Sequence, residues 1–85
     1  MPERHLLYQY DSCPYCRRVR QFLQEADIRI ETRDTLLDPG ARRELVEGGG
    51  RGTVPCLRIE RDGEMRWMYE SRDIIDYLRR YYSAA

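Results

Sequence analysis

The chain has 85 residues, enough for one domain that buries roughly 60–65% of its unfolded surface and so has only a modest core. Its 15 cationic side chains, all Arg, balance 15 acidic ones, so nothing in the charge calls for nucleic acid or an anionic membrane surface. Three Cys are an odd number and too few for a secreted disulfide scaffold; a close Cys pair in a reducing cytoplasm is more often redox-active or metal-binding than structural. Met1-Pro2-Glu3-Arg4-His5 lacks the apolar run of a secretion signal, and no stretch is long and apolar enough to span a bilayer. A cytoplasmic monomer with no membrane or nucleic-acid partner is the expectation.

In chain order, His5 to Tyr10 reads as a buried first strand rich in Leu and Tyr. A turn on Asp11-Ser12 leads into a helix over residues 14–26, with Pro14 at its first position, where the missing N–H costs nothing. Residues 28–33 alternate apolar and polar, the pattern of a strand with one covered face. Asp38-Pro39 is a second cap-plus-proline start. Residues 41–47 then make a short helix, which the Gly-rich run 48–52 stops and turns into a flexible loop. Residues 53–60 form a third strand, interrupted near its start by Pro55. Arg61-Asp62-Gly63 is a hairpin turn, and residues 64–69 return as a fourth strand. Ser71 caps the last helix, whose apolar face carries Ile74, Ile75, Leu78 and Tyr81. The order is β-α-β-α-β-β-α: an α/β fold of one four-stranded mixed sheet and three helices, in a single domain over residues 1–85.

Cys13-Pro14-Tyr15-Cys16 is the stretch that carries chemistry. Cys13 falls at a helix cap, beside the unpaired N–H groups and positive dipole end, a place that favours thiolate over thiol. Arg17, one turn on, adds a cation. On helical spacing Cys16 joins Val19, Phe22, Leu23 and Ala26 on the apolar stripe and Cys13 does not. The expectation is an accessible attacking thiol and a half-buried resolving one. The other reading of the pair is half of a zinc site, which Cys56 and His5 would have to complete without the second close pair that structural sites use. Redox chemistry suits the strand-turn-helix context and Pro14 better, and no metal is expected.

The element order, Cys13-Pro14-Tyr15-Cys16 after the first strand and Thr53-Val54-Pro55 opening the third together resemble the glutaredoxin family of the thioredoxin fold. Residues 7–16 and the late Tyr69-Glu70-Ser71, Asp73-Ile74-Ile75 and Tyr77-Leu78 are similar to the branch related to the amino-terminal domain of glutathione transferases. The resemblance implies a thioredoxin-like fold, no bound cofactor, and glutathione as co-substrate. It further implies that Val54-Pro55 is cis and lies across from Cys13, with the Val54 backbone pairing to the substrate's cysteine moiety like an added strand. In that branch the Glu-Ser pair, here Glu70-Ser71, holds the γ-glutamyl end of glutathione. Two positions depart from common small glutaredoxins: Tyr10 stands where a Lys is usual, and Tyr69-Glu70-Ser71-Arg72-Asp73 replaces a Gly-Gly-x-Asp-Asp motif.

Glutathione has two carboxylates and one ammonium. The last helix's amino terminus, with Ser71, can take the γ-glutamyl carboxylate, and Glu70 can offset the ammonium. Arg51 is the candidate for the glycyl carboxylate, its plainer reading being a solvated loop cation. Ser71 as a simple helix cap is compatible with both roles. Tyr15 is expected to be exposed beside the site. Cys56, after Pro55, reads as a small buried hydrophobe or as a third thiol near enough for mixed disulfides. The function implied is a glutathione-dependent thiol–disulfide oxidoreductase acting on glutathionylated or disulfide-containing proteins through Cys13, with Cys16 resolving. Its rivals are an iron–sulfur delivery module, which Pro14 and Cys16 disfavour, and a transferase-like domain that holds glutathione without redox turnover.

Overall fold

A computed structural model describes residues 2–83 of the chain. The elements run β1 (Arg4–Gln9), α1 (Pro14–Glu25), β2 (Glu31–Asp34), α2 (Pro39–Gly49), β3 (Cys56–Arg61), β4 (Glu64–Tyr69) and α3 (Ser71–Ser83). The strands lie in the order β2-β1-β3-β4. β1 is parallel to β2 and antiparallel to β3, which is antiparallel to β4. The expected α/β layout, a mixed four-stranded sheet with three helices, is the one observed.

β1 sits between the layers and is buried on both faces, which is why it reads as an apolar run rather than an alternation. Leu7 points to one side, into a core with Val19 and Leu23 of α1, Leu57 and Ile59 of β3, and Ile74 and Leu78 of α3. Leu6 and Tyr8 point to the other, against Ala41 and Leu45 of α2 and Cys56. The Tyr8 hydroxyl donates to Glu44 at 2.9 Å and accepts from Arg58 at 3.2 Å, so the buried phenol costs no unpaired polar group.

Several boundaries differ from the sequence reading, each for a local reason. α1 stops at Glu25, and Asp27 takes a left-handed backbone (φ 55°). The N–H of Ile28 reaches the Leu23 carbonyl at 2.8 Å and that of Asp27 reaches Gln24 at 3.2 Å, the paired bonds of a Schellman ending with Asp in the usual glycine place. Ile28 and Ile30 pack on the core, but the ladder to β1 begins only at Glu31. The alternation at 28–33 marks burial of the approach to β2 more than the strand itself. α2 runs on to Gly49 and ends at Gly50, which is left-handed (φ 88°).

Gly48 and Gly49 are therefore helix, not flexible loop. A Cβ on Gly48 would enter the Trp67 ring, and one on Gly49 would meet the Tyr69 hydroxyl. The run of glycines makes room for two aromatics of β4. β3 starts at Cys56, beyond Pro55, and its hairpin to β4 turns on Asp62 (φ 52°) and Gly63 (φ 80°), two positive φ values in succession, as a type I′ turn requires.

Candidate functional site

β1 delivers the chain to the turn at Asp11-Ser12, and Cys13 becomes the N-cap of α1 with extended backbone (φ −79°, ψ 119°) and Pro14 behind it. The Cys13 Sγ accepts the Cys16 backbone N–H at 3.2 Å, a donor of the helix's first turn that would otherwise be orphaned. Negative charge on Sγ strengthens that bond. The Val54 carbonyl lies 4.0 Å from the same sulfur, and the Val54–Pro55 peptide is cis, as the resemblance implied.

Beyond Val54 opens a cleft of about 310 Å³, at the small end of the roughly 300–1,000 Å³ common for small-molecule sites. Its walls include Tyr15, Arg51, Val54, Pro55, Glu70 and Ser71. These are the six residues the sequence nominated for substrate, drawn from the α1 start, the α2–β3 loop and the α3 start. Thr53, Tyr69 and Arg72 also line it. The charged residues of the lining are thus Arg51, Arg72 and Glu70. Tyr15 is exposed, with the Arg18 guanidinium 5.4 Å over its ring.

Residues 7–85 match the family described as glutathione S-transferase, N-terminal domain. The chain belongs to that family. It is also 33% identical over 72 residues to Glutaredoxin 2 of Escherichia coli strain K12, an overlap covering 85% of this chain and 31% of that one. The chain thus spans about a third of the length of the curated relatives it matches. Among solved structures, a glutathione transferase homologue from Drosophila mojavensis with bound glutathione superposes with a TM-score of 0.77 at 22% identity, over 98% of this chain and 37% of that one. A thioredoxin-like protein superposes at 0.66 with 23% identity, over 86% and 97%. At such identities the likeness concerns the fold, which is thioredoxin-like.

Within this family member, three expectations about the site need correction. Helical spacing predicts an accessible Cys13 and a half-buried Cys16, yet Cys13 is only 5% exposed and Cys16 not at all. The Val54 carbonyl that faces the sulfur helps to cover it, a contact between distant parts of the chain that helical spacing does not show. The sequence predicts Ser71 as the cap of α3, but it is the first helical residue and is buried. Glu70 holds the cap position: its carbonyl accepts the Ile74 N–H at 3.0 Å, from a left-handed backbone (φ 73°) that non-glycine residues adopt at a cost. Ala26, placed on the apolar stripe, is the exposed C-cap of α1.

The cation that the fold brings into the Cys13 turn is Arg20. Its guanidinium donates to the Gln9 side chain, to the Tyr10 carbonyl at 3.3 Å and to the Asp11 carbonyl at 3.1 Å, fastening the end of β1 to the turn that carries Cys13. Arg17 is exposed, and among the described residues its side chain has no hydrogen-bond or ion-pair partner. Burial above all, with the contact to Cys13 second, pushes the Cys16 thiol up. Cys56 is fully buried between Tyr8 and Tyr69 in the ladder, and burial pushes its thiol up to about 12. It is the small buried hydrophobe of the two readings. His5 lies at the far end of β1 on Glu3 and Tyr82, away from the cysteines with which a zinc site would have joined it. No helix among the described residues is long and apolar enough to cross a membrane.

Proposed function

We propose that this chain is a glutathione-dependent thiol–disulfide oxidoreductase. The observation that carries the reading is the Cys13 sulfur, seated on a helix-terminal N–H at 3.2 Å and opposite the Val54 carbonyl, beside a cleft whose charged lining is two Arg and one Glu. Glutathione has the complementary set, two carboxylates and one ammonium. Arg51 meets the glycyl carboxylate. The free N–H groups at the α3 start and Ser71 meet the γ-glutamyl carboxylate, Arg72 stands beside them, and Glu70 faces the ammonium. The Val54 backbone pairs with the cysteinyl unit as an added strand, and Tyr15 closes the mouth.

The chemistry follows as balanced exchange. The Cys13 thiolate attacks the glutathionyl sulfur of a mixed disulfide, the substrate's thiolate leaves and takes up a proton, and a Cys13–glutathione disulfide remains. A second glutathione, as thiolate, attacks the bound glutathionyl sulfur, giving glutathione disulfide and returning Cys13. On a protein disulfide, Cys13 instead links to one substrate sulfur. Cys16 then gives up its proton and attacks Cys13, releasing the second substrate thiol and leaving a Cys13–Cys16 disulfide for glutathione to reduce. Arg17 adds an exposed positive charge one turn from the nucleophile. Such a cycle is at home in a cytoplasm rich in glutathione.

The test is turnover of a glutathionylated small disulfide with glutathione, glutathione reductase and NADPH. Absorbance loss that depends on the protein supports the reading. Binding of glutathione without turnover would instead make this a transferase-type binding domain, a reading that the family match and the covered Cys13 favour.

A further inference from the structure

Tyr69 holds Arg51 at three points. Its hydroxyl accepts the Arg51 N–H at 3.3 Å and donates to the Arg51 carbonyl at 2.9 Å. Its ring lies under the guanidinium, with Cζ 4.2 Å from the ring centroid. Both residues line the cleft. Arg51 lies between the left-handed Gly50 that ends α2 and the start of β3 at Cys56, a stretch with no ladder of its own to hold it. Among the described residues its guanidinium makes no hydrogen bond or ion pair.

The sequence has made space for this clasp. Tyr69 can reach the loop only because Gly49 lacks the Cβ that would meet its hydroxyl, and Trp67 beside it lies where a Cβ of Gly48 would fall. An Arg stacked on an aromatic ring keeps its in-plane N–H donors free for a carboxylate, which they bind as a planar fork. A loop cation left to itself would lose side-chain freedom on binding; one already immobilised loses less.

We propose that Tyr69 is the positioning residue of the carboxylate end of this cleft. It aims Arg51 at the terminal carboxylate of the thiol co-substrate, so that preference for a thiol peptide ending in a free carboxylate runs through Tyr69. This rests on the oxidoreductase reading and adds a determinant of its co-substrate specificity.

The experiment compares glutathione with its glycinamide, which keeps the thiol and the γ-glutamyl end but has no terminal carboxylate. The readout is dequenching of a fluorescent glutathionylated peptide, which needs no coupling enzyme. The parent should show an apparent constant about tenfold or more lower for glutathione than for the amide, the loss expected for one charge-assisted contact. Arg51→Ala should bring the two constants together. Tyr69→Phe, which keeps the ring and loses both hydrogen bonds, should lose part of the preference, and Tyr69→Leu nearly all of it. In each variant the change should lie in the apparent constant for glutathione, with the constant for the amide moving little. Adding Tyr69→Leu to Arg51→Ala should change the preference no further, because one residue acts through the other.

Full preference in folded Tyr69→Phe and Tyr69→Leu, or a further drop in the double variant, overturns the clasp. A parent that turns over both thiols with equal constants also overturns it, while the redox reading stands. A parent inactive with both overturns the oxidoreductase reading and this inference with it.

Discussion

At the amino-terminal end of β1, His5 is buried with one ring nitrogen 3.0 Å from the Glu3 carboxylate and the other 2.9 Å from the Tyr82 hydroxyl. Tyr77 donates to the same carboxylate at 2.5 Å, and Tyr81 accepts the Glu3 N–H at 2.8 Å. At the carboxyl-terminal end, past Gln9, lie Cys13 and the cleft, where the Arg51 guanidinium has an aromatic ring but no anion, and Glu70 holds a strained backbone. Both ends join β1 to helices with charged and aromatic side chains. In the first, each polar group finds its partner inside the cluster, and the result is a joint between β1 and α3. In the second, the Arg51 guanidinium in the cleft wall has no hydrogen-bond or ion-pair partner among the described residues, and the Cys13 sulfur rests on the Cys16 N–H beside it. Most buried polar groups pair within the fold, so an Arg left without an anion in a cleft wall is a candidate for a ligand rather than for the fold.

The largest expected effect separates the two ends outright. Cys13→Ser should cut turnover of a glutathionylated substrate by at least about 10³-fold, as removal of a nucleophile does. Cys16→Ser should keep much of it, because deglutathionylation uses one protein thiol. Equal loss in both would mean obligatory dithiol chemistry. His5→Phe, at the closed end, should leave turnover per folded molecule at the parent level.

Gly48→Ala tests the packing beside the cleft through the sign of its effect. Helix propensity alone predicts a gain of about 0.5–1 kcal/mol for Ala in place of Gly. The overlap of the new Cβ with the Trp67 ring predicts a loss of about 1–3 kcal/mol instead. Trp67 is wedged against Tyr8, ring centroids 5.5 Å apart, with the Arg58 guanidinium 5.5 Å over it, so it has little room to yield. Denaturant unfolding decides, and a stabilised variant would return the glycine run to the flexible loop first read from it.

How much was legible follows from which signals are local. The order of elements, the Pro-headed helices and the hairpin on Asp62-Gly63 depend on neighbours in sequence, and they were readable. The nominated residues Tyr15, Arg51, Val54, Pro55, Glu70 and Ser71 do line one cleft, yet their grouping came from family likeness and not from spacing. Arg20 was hidden by composition: among fifteen Arg nothing local says which one folds back onto the Cys13 turn. Tyr69 could have been found. A two-residue turn at 62–63 pairs Arg61 with Glu64 and, counting back, Cys56 with Tyr69, which sets that ring next to the Val54-Pro55 segment. The cover over Cys13 had no such signal, because Val54 reaches it only in three dimensions.

At the closed end, His5→Phe should cost about 1–3 kcal/mol, since it leaves the Glu3 carboxylate and the Tyr82 hydroxyl without their shared partner. The same cluster sets an acid limit. Burial works to raise the Glu3 carboxyl, but hydrogen bonds from Tyr77 and His5 together with the nearby Arg61 leave it below its ordinary 4.5. A depressed carboxyl contributes stability above its unfolded value and loses it as the pH falls through the folded one. The thermal midpoint of the parent should therefore drop on acidification below about pH 4.5, and Glu3→Gln should flatten that limb while lowering the midpoint at neutral pH. An unchanged acid limb would place the sensitivity elsewhere.

The smallest effect is the most pointed, because stability and binding should move in opposite directions. Glu70 pays for its left-handed backbone (φ 73°) with about 1–2 kcal/mol that a glycine would not lose. Glu70→Gly recovers that strain but adds the entropy of an unfolded glycine, about 0.5–1 kcal/mol, so the folded state should gain under about 1 kcal/mol. Glu70→Ala keeps the strain and gains nothing. If the carboxylate faces the ammonium of glutathione, both variants should raise the apparent glutathione constant. The rise should be no more than roughly fivefold, because an exposed ion pair contributes up to about 1 kcal/mol. A more stable glycine variant with weaker glutathione binding would show a residue held strained for its ligand. A more stable variant with an unchanged constant would remove Glu70 from the site, leaving the ammonium to solvent and the strain without a ligand to explain it.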